Sequence, residues 1–278
     1  MSYKTIFIHV TDERRVHGLV EAVLGIADAF ESHVIGLYAL PGAVIGPPFA
    51  GNYGAGLAEA GRRAFRKEAD GIKRIFDETF TGHATVREWR CVEPERESLP
   101  GLVLRHARAA DLVVVSQRDH GFAYHQLLDM PERLAIESGR PTIIVPNAGR
   151  FPELGRRVTV AWNGRREAAR AVFDALPLLV RAEQVQLLWV NPEPGASGDL
   201  PTAEIGATLA RHGVKCDADQ SVAADLAIGD ELLSRLADNG SDLLVMGAYG
   251  HSRLREFVFG GATRHILEHM TVPVLMSH

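Results

Sequence analysis

The strongest constraint on the fold is that the chain contains itself twice. "KTIFIHV" (Lys4–Val10), then "TDERR" and an amphipathic stretch through Val16, Leu19, Val20, Val23 and Leu24, opens the first half. The second half opens with "RRVTVAW" (Arg156–Trp162), then "NGRRE" and a stretch through Ala168, Ala171, Val172, Ala175 and Leu176. "HVIGLYA" (His33–Ala39) returns as "QVQLLWV" (Gln184–Val190), and "DLVVVS" (Asp111–Ser116) as "DLLVMG" (Asp242–Gly247). The Pro-bounded "PTIIVP" (Pro141–Pro146) returns as "VPVLM" (Val272–Met276). Short apolar, β-branched runs alternating with helical periodicity predict parallel strands covered by helices on both faces. Each half is therefore expected to be one doubly wound α/β unit. In such sheets ligands bind beyond the carboxyl ends of the strands, where the strand order reverses.

The spacing between the copies is larger at the start (Val10 to Trp162) than near the end (Asp111 to Asp242). The surplus falls largely in the first half's "PGAVIGPPFAGNYGAGLAEAGRRAFRKEADGIKRIF", which begins as a Gly/Pro-rich loop and runs into a charged helix. "PNAGRFPELG" (Pro146–Gly155) has linker composition. The expected domains are residues 1–147 and 156–278.

Composition narrows the function classes. The 278 residues are 46% hydrophobic and 23% charged, enough for a substantial core. Lys plus Arg number 30 against 35 for Asp plus Glu, a net charge of -5, which argues against a general nucleic-acid binder. Cys91 and Cys216 lie in no CxxC motif and form no disulfide framework. The N-terminal apolar run is short and followed at once by charges, unlike a signal peptide, and no run approaches a membrane span. A cytoplasmic protein with no membrane partner is expected.

The chemistry concentrates after "DLLVMG". Gly247 and Gly250 flank the strand exit, where backbone lacking Cβ lets a flat ring or ribose approach. Gly260 and Gly261 directly precede "ATRHILEHM", whose Ile266, Leu267 and Met270 form a helical stripe. A glycine pair at a helix start presents free N–H groups at the positive end of the dipole, a common solution for phosphate. Thr263 could add a hydroxyl in the first turn.

"GAYGHSRLREFVFGG" resembles the G-x2-G-x9-G-[S/T] nucleotide loop of the universal stress protein family. The resemblance extends to "RRVTVAWNGRREAARAV" and the terminal "VPVL", and covers the chain as two tandem copies. It implies a five-stranded Rossmann-like or flavodoxin-like sheet in each unit. It also implies ATP or a related adenine nucleotide in the second unit, with or without Mg, and pairing of the halves through their last strands as an intramolecular pseudo-dimer. The implied contact set is Asn163, Val190, Met246, Gly247, Gly250, His251, Gly260, Gly261, Ala262 and Thr263. Two positions depart from the family: Gly261 stands at the Ser/Thr position, and Asn163 where an acidic residue follows the first strand. Gly261 keeps the N–H but removes a hydroxyl donor. Asn163 can still exchange hydrogen bonds with a ribose.

The first half lacks the pattern. Gly247, Gly250, Gly260 and Gly261 correspond to Ser116, Asp119, Asp129 and Met130, and Pro131 follows without an N–H. Thr11 corresponds to Asn163, with Asp12 displaced by one. Asp129 is expected to put a carboxylate where phosphate would sit, so the first half is read as a scaffold or as binding something other than a nucleotide.

No P-loop lysine, nucleophile elbow or SGG-x-DS loop is present, so no catalytic residue is assigned. His265 and His269 share a helix face without a third ligand at fixed spacing, and no metal is assigned. "DADQSVAADLAIGDE" is read as an acidic loop before a helix. The leading expectation is a stress-response sensor that binds ATP in the second half and signals to an unidentified protein partner, alone or as a homo-oligomer. The alternatives are a slow ATPase using His251 or Thr263, and a nucleotide-free interaction module.

Overall fold

A computed structural model describes residues 2–40, 51–94, 97–121, 130–192, 201–223, 226–248 and 261–278, with backbone alone at 51–58 and 201. The first half contains β1 (Thr5–Val10), α1 (Glu13–Phe30), β2 (His33–Ala39), α2 (Gly51–Thr79) and β3 (Val86–Val92). It continues with α3 (Leu99–Ala107), β4 (Leu112–Ser116), α4 (Pro131–Glu137) and β5 (Thr142–Val145). The second half contains β6 (Arg157–Ala161), α5 (Arg166–Leu179), β7 (Gln184–Val190), α6 (Pro201–Arg211) and β8 (Cys216–Ser221). It ends with α7 (Ile228–Asp238), β9 (Leu243–Gly247), α8 (Gly261–His269) and β10 (Val274–Ser277).

The central strands are buried on both faces. In β1, Ile6, Ile8 and Val10 pack toward α1 and α2, while Phe7 packs on the opposite face with side chains of α3 and α4. The second half repeats this layering with α5 and α6 on one side and α7 and α8 on the other. Burial of each large apolar side chain contributes roughly 1.5–3 kcal/mol, which explains why such runs hold their place in the sheet.

All ten strands form one sheet, ordered β3-β2-β1-β4-β5-β10-β9-β6-β7-β8. Each half has the same internal order and parallel pairing. The halves meet where β5 and β10 run antiparallel, with Ile144 opposite Val274 and Thr142 opposite Met276. The expected pairing through the last strands is thus continuous main-chain hydrogen bonding. Asp111 and Asp242 mark the repeat in the same way. Asp111 accepts from the amides of Lys4 and Thr5, both at 2.9 Å. Asp242 accepts from Gly155 (2.7 Å), Arg156 (3.0 Å) and Arg157 (2.9 Å). Each carboxylate ties the fourth strand to the start of the first.

One sequence reading changes. The acidic "CDADQS" is not loop but edge strand β8, and its counterpart β3 is likewise exposed or half-buried along its length. An edge strand has one neighbour and needs no continuous apolar run, and charges there discourage pairing with other chains. Helix α2 is the charged helix into which the Gly/Pro-rich segment was expected to run.

The halves fill the same space by opposite means. In the first, Gly36 of β2 leaves room for Phe76 of α2 and Trp89 of β3, whose rings lie 5.2 Å apart; a Cβ at Gly36 would fall 2.7 Å from Phe76. In the second, the strand carries Leu187 and the helix opposite carries Gly206. The large residue has moved from helix to strand. Among the described residues no helix is long and apolar enough to cross a membrane.

Candidate functional site

The strand order places a switch point between β6 and β9, because β6 leads on to β7 on one side and β9 to β10 on the other. Register brings the ends level. Ala161 pairs with Leu188 of β7 and with Met246 of β9. Asn163, Val190 and Ala248 therefore lie at one height above the sheet. Val190 is buried and Asn163 exposed. Asn163 Oδ1 accepts from the Arg165 amide at 3.1 Å, and Gly164 follows at φ +70°, a tight turn from strand into helix. Met246 is buried in the face shared with α7 and α8.

The role of Gly247 differs from the sequence reading. A Cβ there would lie 2.5 Å from the carbonyl carbon of Glu167 and 2.6 Å from the nitrogen of Ala168. Protein backbone, the first turn of α5, takes up the close approach assigned to a ligand. Glu167 is 5% exposed and bonded to Arg166. Burial raises its pKa, but the Arg166 hydrogen bond, the helix-end amide and the charge of Arg166 outweigh it and hold the carboxyl below its ordinary range.

Gly261 is the opposite case. It opens α8, is exposed, and a Cβ there would meet nothing within 4 Å among the described residues. Its own amide and that of half-buried Ala262 belong to the first turn, whose N–H groups have no intrahelical acceptors. Thr263 lies on the buried stripe with Ile266 and Leu267 and is 5% exposed, so its hydroxyl is not at the open end of the helix. Gly250, His251 and Gly260, with the rest of the loop 249–260, lie outside the described residues.

One residue the sequence reading passed over completes the rim. Asn191, at φ +50°, donates Nδ2 to Ala223 O (3.1 Å) and accepts from Ala223 N (2.7 Å), tying the end of β7 to the exit of β8. Its signal was only an Asn-Pro after an apolar run.

The first half closes the corresponding crevice. Ser116 stands at the Gly247 position and is 3% exposed. Asp119, at the Gly250 position, accepts from Arg15 Nη2 at 2.5 Å, from Arg14 Nη2 at 3.4 Å and from the Gly121 amide at 2.9 Å. Burial opposes its charge, yet Gly121 and Arg15 outweigh burial and hold the carboxyl below the usual range. Met130 is buried before Pro131, the first residue of α4. Asp129, expected to occupy a phosphate position, lies outside the described residues; an internal carboxylate is supplied at Asp119.

His265 and His269 stack 4.4 Å apart, and His265 Nε2 lies 2.9 Å from Asp230 Oδ1. Among the described residues no three His, Cys, Asp or Glu side chains gather at metal distance.

Strand order and crevice define a doubly wound α/β fold built as a tandem pair. Residues 155–278 match the family model described as Universal stress protein family. The universal stress protein Slr1230 of Synechocystis sp. is 29% identical over 178 residues, 59% of this chain and 57% of the relative, so the match spans little more than half of that relative's length. A universal stress protein from Archaeoglobus fulgidus shares the fold across 98% of this chain and 95% of its own, with TM-score 0.69 and 12% identity. PA1789 from Pseudomonas aeruginosa PAO1, described as functionally unknown, covers 99% of this chain and 92% of its own at TM-score 0.56 and 13% identity.

Proposed function

We propose that the second half binds an adenine nucleotide, ATP with or without Mg, and that occupancy is read by a protein partner in a stress response. The phosphates sit at the amides of Gly260, Gly261 and Ala262, with Gly250 and His251 in the covering loop. Adenine rests against Val190 and Met246, and the ribose meets Asn163. The observation that supports this most is the glycine-led N-terminus of α8 at the switch point, which no other described residue covers at Gly261 and where dipole and first-turn amides favour an anion. Gly247 serves the site by letting α5 close on β9.

Gly260→Asp, which copies the first half's residue, should weaken ATP binding at least tenfold by isothermal titration calorimetry, because it sets a carboxylate beside phosphate. Unchanged affinity would remove the phosphates from this loop.

A nucleotide-free interaction module is the second reading. It is favoured by the burial of Thr263 and by the turn that engages Asn163 Oδ1. Mass spectrometry of protein denatured after gentle purification separates the two: released adenine nucleotide supports the first.

A further inference from the structure

The last carbonyls of a helix lack intrahelical donors, and in α8 two of them are met from the other half of the molecule. Gln117 Nε2, one residue past β4, donates to Leu267 O at 2.8 Å and to Glu268 O at 3.3 Å. Gln117 Oε1 accepts from the Asn147 amide at 3.1 Å, so both ends of the carboxamide are engaged. Asn147 Nδ2 donates to Arg118 O at 3.0 Å, and Asn147 O accepts from Arg15 Nη1 at 3.0 Å. Arg15 in turn holds Asp119. A connected set of hydrogen bonds thus runs from the closed crevice of the first half to the C-terminus of α8.

The connection runs one way. The second half's counterpart of Gln117 is Ala248, a methyl group that caps nothing, since Ser116 and Gly247 end equivalent strands. The end of α4 is met within its own half, where Arg108 Nη2 donates to Glu137 O at 3.2 Å. Helix α8 has only nine residues, about 13 Å of rise, so its two ends move together. Its other anchors come from its own half: Ile266 and Leu267 in the core, and His265 beside Asp230 and Gly229.

We infer that Gln117 is a positioning residue for the phosphate-binding helix: the first half, having lost the loop glycines, sets the nucleotide affinity of the second by holding the far end of α8. This rests on the nucleotide reading proposed above. By linkage, nucleotide at one end of α8 stiffens the Gln117–Asn147–Arg15 set at the other, so occupancy reaches the surface around Asp119.

The test uses the full chain with Gln117→Met, which keeps the shape without hydrogen bonds, and Gln117→Glu, which turns a carboxylate toward helix carbonyls. Hydrogen exchange of the α8 amides in nucleotide-free protein should quicken in both, more in Gln117→Glu, while α4 exchange stays unchanged as the check on global folding. ATP affinity by calorimetry should fall roughly three- to tenfold, in the same order. Unchanged α8 exchange, or faster exchange with ATP affinity intact, overturns the inference. If wild-type protein binds no ATP, the nucleotide reading fails separately, and α8 exchange alone decides whether the first half holds the helix.

Discussion

The segment from β4 to α4 and the segment from β9 to α8 leave the sheet at equivalent points and end differently. The first is closed by protein: Ser116 at the strand end, Asp119 held by Arg14 and Arg15, and buried Met130 ahead of Pro131. The second reaches a helix whose first residue is exposed, and among the described residues nothing lies within 4 Å of where its Cβ would stand. A duplicated unit can thus keep its core and lose its crevice, because only a few positions at the strand exits need to change. The strands are held by apolar burial and by the Asp111 and Asp242 ties. The crevice depends on a few positions where a side chain is either absent or supplied by the protein itself.

The harshest way to break this comparison is Gly247→Ser, which copies Ser116. Its Cβ would collide with the backbone of Glu167 and Ala168, and urea unfolding should report a loss of about 3–4 kcal/mol. Near-normal stability would mean that α5 can withdraw from β9 to admit the side chain.

A second asymmetry concerns His9, which stands where the second half has Ala161. It is fully buried between Leu37 and Val115, its ring nitrogens have no hydrogen-bond partner among the described residues, and burial lowers its pKa from 6.5 to about 4. The folded protein therefore holds His9 neutral while the unfolded chain takes up a proton first as pH falls. Its contribution is intact above pH 6.5 and is lost progressively between 6.5 and 4. Between pH 7 and pH 4.5 wild type should lose roughly 2–3 kcal/mol more than His9→Leu in urea titrations. Parallel pH profiles would sink this account of His9.

The mildest expected change sharpens the comparison. Gly261→Ser adds a hydroxyl in open space at the start of α8, so stability should stay within about 0.5 kcal/mol. ATP affinity should rise about threefold by calorimetry, as one more donor reaches phosphate. A fall in affinity would place the phosphates elsewhere.

Much of the frame was readable in advance. His33–Ala39 and Gln184–Val190 are strands with the expected bounds, and the apolar runs of β1, β4, β6 and β9 lie where their patterns put them. The polar edges β3 and β8 were not readable, since a strand with one neighbour carries no buried alternation. Of the expected contact set, Asn163, Val190, Met246 and Gly247 gather at one sheet end, and Gly261 and Ala262 open the helix. Thr263 turned inward because helical periodicity puts it in line with Ile266 and Leu267, a geometry its proximity to the glycines concealed.

Duplication, α/β class and the contrast between a glycine-bearing and a glycine-free loop all follow from local pattern. Periodicity and backbone permissiveness are written residue by residue. Which glycine faces a helix and which faces open space, which carboxylate closes the spare crevice, and that Gln117 reaches across the β5–β10 seam to α8 depend on groups distant along the chain. Those contacts exist only once the sheet brings their partners within a few ångströms, so no window of neighbouring residues contains them.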